Sequence, residues 1–335
     1  MLDINTLKNK QIFLSKSPTD KLLKQHFELK ISNVPTLGTE EILIETKIIS
    51  IDAANRAWMQ GKTYRDQVLP GDVMGGYALG KVIASNDNNY EVGSYVEGDL
   101  GWQNYSIRKA KELIKTTITH EEKLHMSVLG ITGKTAYFGL ELAKLKAGET
   151  VLVSAAAGAV GNVVGQIAKI KGCRVVGITS SQEKSNWLLN TLGFDAVINY
   201  KNDNLYKEIR TACPDKVDVY FDNVGGSIFE TVLFAMNNYG RIICCGAVSQ
   251  YDQAAPQNGP RGVPGIIVTK RLSLKGFIVM DFYKEKERAE KDLSQWIKED
   301  KIIIAEDIIE GIENTPDALI GLLNGENKGK RLVKI

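Results

Sequence analysis

The chain has 335 residues, enough for two domains, with 43% hydrophobic and 24% charged residues, the balance of a soluble globular protein with a sizeable core. Its formal net charge of +2 gives no global attraction to nucleic acid or anionic membrane. No apolar run is long enough to span a bilayer, and the N-terminal MLDINTLKNKQ has no secretory h-region, so a cytoplasmic protein is expected.

Residues 11–15, 27–31 and 41–50 carry strand-like alternation, and Pro35, Gly38 and Thr39 mark a turn before the third run. Residues 50–62 read as a loop with a helical turn. Strand character returns at 73–85, 95–100 and 104–107, divided by glycine-rich breaks. The first 120 residues are thus mainly β. From there the texture changes. Residues 121–129 and 134–144 read as helices. Strands at 151–154, 174–179, 196–199, 217–222 and 241–246 then alternate with helices at 159–171, 183–192, 205–213 and 228–236. Such alternation specifies a parallel, doubly wound sheet. Residues 249–265 are rich in Pro, Gly, Gln and Asn and read as a long mobile loop, a lid by its length. An exposed amphipathic helix at 286–301 follows, and 302–335 reads as strand, helix, strand.

The most informative stretch is 149–169, ETVLVSAAAGAVGNVVGQIAK. A short apolar, β-branched run leads into small residues, Ala157, Gly158, Ala159, Val160 and Gly161, and then into a helix. A strand, a small-residue turn and a helix start cradle phosphate, because free N–H groups and the helix dipole both face the anion. Side chains at Gly158 and Gly161 would block that approach, and Gly165 lets the helix pack closely. The strict fingerprint is G-x-G-x-x-G; here Ala155 stands at its first position, so an ordinary Ala/Gly-rich helix cap is the alternative. A second strand at 174–179, at βαβ spacing, favours the dinucleotide reading. No carboxylate stands at that strand's tip, where one would hold the ribose of NAD. Thr179, Ser180 and Ser181 offer hydroxyls instead, and Lys184 a positive charge one turn later.

Cys173, Cys213, Cys244 and Cys245 form no C-x-x-C pair and read as buried, reduced thiols. His26, His120 and His125 are scattered, and the i,i+5 spacing of the last two does not bring them onto one helix face. No metal site is expected.

AAAGAVG with VVGQIAK, TGKTAYFGL at 132–140, YFDNVGG at 220–226, GRIICCGAVS at 240–249 and NKGKRLVKI at the C-terminus together resemble the zinc-independent medium-chain dehydrogenase/reductases. The resemblance is to the branch of prostaglandin reductases and NADP-dependent alkenal double-bond reductases. Zinc-dependent relatives have Gly-His-Glu where this chain has Gly75-Gly76-Tyr77, and a cysteine quartet absent here. The resemblance implies a Rossmann NADP-binding domain at 127–303. It also implies a mainly β, GroES-like catalytic domain built from 1–126 with 304–335, and a homodimer. It implies NADPH as cofactor, with Lys184 and Tyr200 at the 2′-phosphate and Asn223 near the nicotinamide ribose. Cys245, Gly246, Ala247 and Ser249 would run along the cofactor, the apolar strand Phe277, Ile278 and Val279 would face the carboxamide, and Asn327 would reach in from the C-terminal segment.

Paired carboxylates and nucleophilic triads are absent from the sequence pattern, which leaves metal-free hydride chemistry. Carbonyl reduction needs strong alkoxide stabilisation. Reduction of an α,β-unsaturated aldehyde or ketone asks less, since charge spreads into an enolate that hydrogen-bond donors can hold. Candidate donors are Tyr64, Tyr77 and Tyr251, with Asn55 and Arg56 beside the pocket; each tyrosine reads equally as a packing aromatic. Thr269 stands where several relatives have a tyrosine implicated at the enolate oxygen. Quinone reduction is the alternative reaction, and a NADPH-binding protein with little catalysis a third reading.

Overall fold

The computed structural model describes residues 4–202, 204–252, 259 and 262–335. In chain order the elements are β1 (Lys8–Leu14), β2 (Phe27–Asn33), β3 (Glu41–Ser50), α1 (Ala54–Gln60), β4 (Tyr77–Ser85), β5 (Tyr95–Asp99), β6 (Tyr105–Lys109), β7 (Ile114–Thr116), α2 (Glu122–Met126), α3 (Ile131–Ala143) and β8 (Thr150–Val153). They continue as α4 (Ala159–Ile170), β9 (Arg174–Thr179), α5 (Gln182–Asn190), β10 (Ala196–Asn199), α6 (Leu205–Ala212), β11 (Val217–Asp222), α7 (Gly226–Ala235) and β12 (Met236–Cys244). The chain then runs through α8 (Val263–Lys270), β13 (Ser273–Gly276), α9 (Lys286–Lys298), β14 (Glu306–Glu310), α10 (Thr315–Leu323) and β15 (Lys330–Lys334).

Six strands form a parallel sheet in the order β10-β9-β8-β11-β12-β13. This is the doubly wound order, with the direction of winding reversing between β8 and β11. All four residues of β8 are buried, as a strand covered on both faces by helices requires. Hydrophobic residues pack on both faces: Val151, Val153, Val164 and Ile167 on one, Leu152, Val176, Ile178 and Val232 on the other. Gly165 serves the close packing expected of it. A Cβ there would collide with the Phe194 ring, an overpacking that costs roughly 1–3 kcal/mol.

The second sheet has the order β14-β15-β3-β4-β5-β7, with β6 also pairing β3. Its strands come from both ends of the chain: β15 runs antiparallel to β3, with Leu332 opposite Ser50. Around it Ile42, Ile44, Trp58, Val82, Trp102 and Val333 share one core. The β1–β2 ribbon lies alongside.

Three boundaries differ from expectation. α3 begins at Ile131, because Gly130 and Gly133 permit backbone contacts with His125 and Val128 that a Cβ would prevent. The expected loop ends early, in α8, which starts at Val263 with a proline in its first turn, the position where proline's missing N–H costs least. Residues 253–258, 260 and 261 of the expected lid lie outside the described residues. Finally, β13 stops at Gly276, so Phe277 and Ile278 follow a strand and Val279 opens a 3-10 turn. Among the described residues no helix is long and apolar enough to cross a membrane.

Candidate active site

A cleft of about 610 Å³ opens where the winding of the six-stranded sheet reverses. Ala155, Ala157, Gly158, Ala159, Val160 and Gly161 form one wall. Gly158 precedes α4 with no side chain capping the helix, so the first-turn N–H groups keep their capacity for an anion. A Cβ at Gly161 would run into the Ala155 carbonyl oxygen, and Ala155 itself takes φ +47°. The turn is therefore as tight as small residues allow. It is clamped from the other sheet, where the Gly329 N–H donates to the Ala157 carbonyl at 2.9 Å. These features fit a pyrophosphate.

Further along lie Thr179, Ser180, Lys184 and Tyr200. Ser181 does not join them: its Oγ accepts the Lys184 N–H at 3.3 Å and caps α5. The Lys184 ammonium donates to the Gly325 carbonyl at 2.6 Å. Burial, aided by the Arg331 charge, holds its pKa below the ordinary lysine range. A cation kept partly dry beside hydroxyls suits a phosphate dianion. Asn324, Gly325 and Asn327 cover this end, with Asn327 donating to the Gly329 carbonyl at 2.9 Å.

Asp222 ends β11 and organises the loop beside the cleft. Its Oδ1 accepts from Ser154 Oγ and from the Val224 and Gly225 N–H groups, each at 3.0 Å, and from Tyr220 Oη at 2.7 Å. Burial and this carboxylate push the Tyr220 phenol well above its ordinary value. Asn223 lines the cleft, and its amide donates to the Ser154 carbonyl at 2.8 Å. Cys245, Gly246 and Ser249 also line it, whereas Ala247 does not; its N–H donates to Tyr251 Oη at 3.3 Å. The Cys245 thiol is pushed up to about 12, by burial first and then by Asp222, so it stays protonated and unreactive.

The far end of the cleft is lined by Asp52, Ala53, Ala54, Thr132, Tyr251 and Asp252. Asp52 is held by buried Lys330, whose Nζ reaches its Oδ1 at 2.6 Å and the Ile51 carbonyl at 2.9 Å, and by Ser50 Oγ.

Residues 10–116 match the family described as the N-terminal domain of oxidoreductase, and residues 159–299 the family described as zinc-binding dehydrogenase. Prostaglandin reductase 1 of Rattus norvegicus is 43% identical over 325 residues, 95% of each chain. The NADPH-dependent curcumin reductase of Escherichia coli (strain K12) is 37% identical over 335 residues, 98% of this chain and 97% of its own. The crystal structure of CurA in complex with NADPH from Vibrio vulnificus matches with a TM-score of 0.92 and 37% identity, covering 97% of this chain and 98% of that one. The chain belongs to the zinc-independent medium-chain dehydrogenase/reductases.

In this medium-chain dehydrogenase/reductase the position where zinc-dependent relatives carry histidine is Gly76, and a Cβ there would stand 2.5 Å from the Trp102 indole. Among the described residues no group of three His, Cys, Asp or Glu side chains could hold a metal ion.

Several expected site residues are placed elsewhere. Asn55 is fully buried and does not line the cleft. Its side-chain carbonyl accepts the Asp52 N–H at 2.8 Å and its side-chain amide donates to the Gly75 carbonyl at 3.1 Å, which shapes the Asp52 turn. Tyr64 stands edge-on to Trp58, 6.4 Å between ring centres, off the cleft wall. Tyr77 gives its hydroxyl to Glu97 at 3.1 Å. Phe277 packs against Phe282 in the core, and Phe277, Ile278 and Val279 do not line the cleft. Thr269 bonds back to the carbonyls of its own helix, Gly265 and Ile266. Conversely Asp52, Asp252, Thr132 and Gly325 line the cleft without having been singled out. Asp52 opens the Asp-Ala-Ala-Asn-Arg stretch that contains Asn55 and Arg56, and Thr132 opens TGKTAYFGL; neither sequence shows that these first residues face the cleft.

Proposed function

We propose that this oxidoreductase uses NADPH to reduce the carbon–carbon double bond of an α,β-unsaturated aldehyde or ketone. The observation that carries this reading is the pairing of two ends in one cleft: Ser180, Lys184 and Tyr200 at one, and a single phenol, Tyr251, at the other. The names of the prostaglandin and curcumin reductases that resemble it support the same reaction class. NADPH, when bound, supplies the hydride. The chain's own residues orient and hold. Uncapped N–H groups of α4 bind the pyrophosphate, and Lys184 exchanges its Gly325 carbonyl for the 2′-phosphate. Tyr251 Oη accepts from Ala247, which leaves its proton free to donate to the substrate carbonyl oxygen. As hydride reaches the β-carbon, negative charge moves to that oxygen and the phenol stabilises it. A proton then reaches the α-carbon, and the carbonyl survives. One phenol is a weak partner for a localised alkoxide, which is why the conjugated bond is the reacting one.

In this reading residues 127–303 form the nucleotide-binding domain and 1–126 with 304–335 the catalytic domain, and both line the cleft: Gly325 and Asn327 reach the cofactor end, and Tyr251 and Asp252 the substrate end. A second copy pairs through β13, the edge strand of the six-stranded sheet, beside exposed Phe234, Tyr239, Val268 and Met280. Four free cysteines agree with a cytosolic setting. The reaction is tested with deuterium-labelled NADPH and a simple enone. Label at the β-carbon is expected; an allylic alcohol labelled at the former carbonyl carbon refutes the assignment. The pairing is tested by sedimentation, where a monomer at micromolar concentration refutes it.

A further inference from the structure

Asp252 belongs to the segment that follows β12, yet its carboxylate is held by the other sheet's half of the molecule. Its Oδ1 accepts from Arg56 Nε at 3.0 Å and from the Leu22 N–H at 2.9 Å. Arg56 lies on α1 with none of its side chain exposed. Its Nη2 donates to the Asp20 carbonyl at 2.8 Å, with the Pro18 carbonyl at 3.5 Å, and its Nη1 has no partner among the described residues. Among the described residues, a fully buried guanidinium therefore has one carboxylate as counter-charge and otherwise only neutral carbonyls. That carboxylate lines the cleft directly after Tyr251. Three segments distant in sequence, 18–22, α1 and 248–252, thus meet at one oxygen.

Breaking a buried ion pair from one side leaves a charge that must find water. The Asp252 side chain is 24% exposed and that of Arg56 not at all, so loss of the pair favours lifting of the 248–252 segment away from α1, and Tyr251 with it. We propose that Asp252 is a positioning residue: its bond to Arg56 and Leu22 latches the Tyr251 segment onto the β-rich half, fixes the phenol at the substrate end and retains the cofactor. The latch rests on the reading of the cleft as a site for NADPH and an enone, but its existence can be measured without either.

The test uses the full chain carrying Asp252→Asn. Hydrogen exchange of the Leu22 amide and of residues 248–252, without ligand, is expected to quicken about tenfold. With ligand, stopped-flow release of NADPH is expected to quicken about tenfold, and kcat/KM for an enone to fall by tenfold to a hundredfold, the scale on which small misplacements act. Asp252→Glu, which keeps the carboxylate, is expected to recover most of all three. Unchanged exchange in Asp252→Asn overturns the latch even if activity falls. Equal loosening in Asp252→Glu also overturns it, because the charge would not be the cause. A wild-type chain that neither binds NADPH nor reduces enones refutes the functional reading instead, and the exchange result still decides the latch.

Discussion

The two ends of the cleft are built on different principles. The heart of the phosphate end is backbone: Gly158 to Gly161 sit in one turn between β8 and α4, whose main-chain N–H groups face the cleft, with Ser180, Lys184 and Tyr200 further along. The substrate end is made of side chains brought together from far apart, with Asp52 from the turn before α1, Lys330 from β15, and Tyr251 and Asp252 from beyond β12. A local device survives any sequence that keeps its small residues. An assembled one depends on every segment arriving in register.

That contrast can be broken at either end. The largest effect is expected from Gly161→Val. Its Cβ would meet the Ala155 carbonyl and distort the turn, so the NADPH dissociation constant should rise at least about a hundredfold, roughly 2.7 kcal/mol. Titration of intrinsic fluorescence checks it. Near-normal binding would mean that the phosphate end is not built on this turn.

At the other end, Tyr251→Phe should lower kcat by up to about a hundredfold, the loss of one oxyanion donor. Tyr64→Phe should change it by no more than about twofold, since this residue is 53% exposed and does not line the cleft. Steady-state kinetics on one enone decides between them; the reverse order would move the donor to Tyr64.

A third substitution sharpens the comparison within the phosphate end itself. Lys184→Ala should raise the Michaelis constant for NADPH roughly tenfold to a hundredfold, as expected for a charged hydrogen bond of about 1.5–3 kcal/mol, and leave that for NADH nearly unchanged. The charged lysine is the form that holds a phosphate, and burial lowers its pKa from the ordinary 10.5. As pH rises through that lowered value the ammonium is lost, so the NADPH constant should climb below the usual lysine range while the NADH constant stays level. Parallel curves for the two cofactors would remove Lys184 from the 2′-phosphate.

The same contrast explains what could be read in the sequence. The alternation from β8 to β12 was legible because each strand and helix carries its own periodicity, and Gly158, Gly161, Ser180 and Lys184 stand at spacings that a βαβ unit fixes. The end of β13 was not, because apolar Phe277 continues the strand's pattern while its ring turns into the core against Phe282. Asn55 was legible only in part, because proximity to a pocket in sequence does not reveal that its side-chain carbonyl and amide bond to Asp52 and Gly75. Ser181 illustrates the same limit: a hydroxyl at a strand tip is equally a helix cap, and only the Lys184 N–H shows which. Asp252 left no trace at all, since one acid in a polar loop gains meaning only from Arg56, almost two hundred positions earlier.

The insertion of β15 between β14 and β3 also has a consequence for biogenesis. As the chain leaves the ribosome, the six parallel strands and their helices are complete while the other sheet still lacks the two strands that finish it. Contacts this distant in sequence form slowly, and domains whose sequence is contiguous fold as units during synthesis. The nascent protein therefore passes through a stage in which the nucleotide-binding half is folded and the Ile48–Ser50 end of β3, which β15 later pairs, is an open edge, the kind of surface that holdase chaperones cover. A chain truncated before residue 300 should display that edge, and the full chain should not.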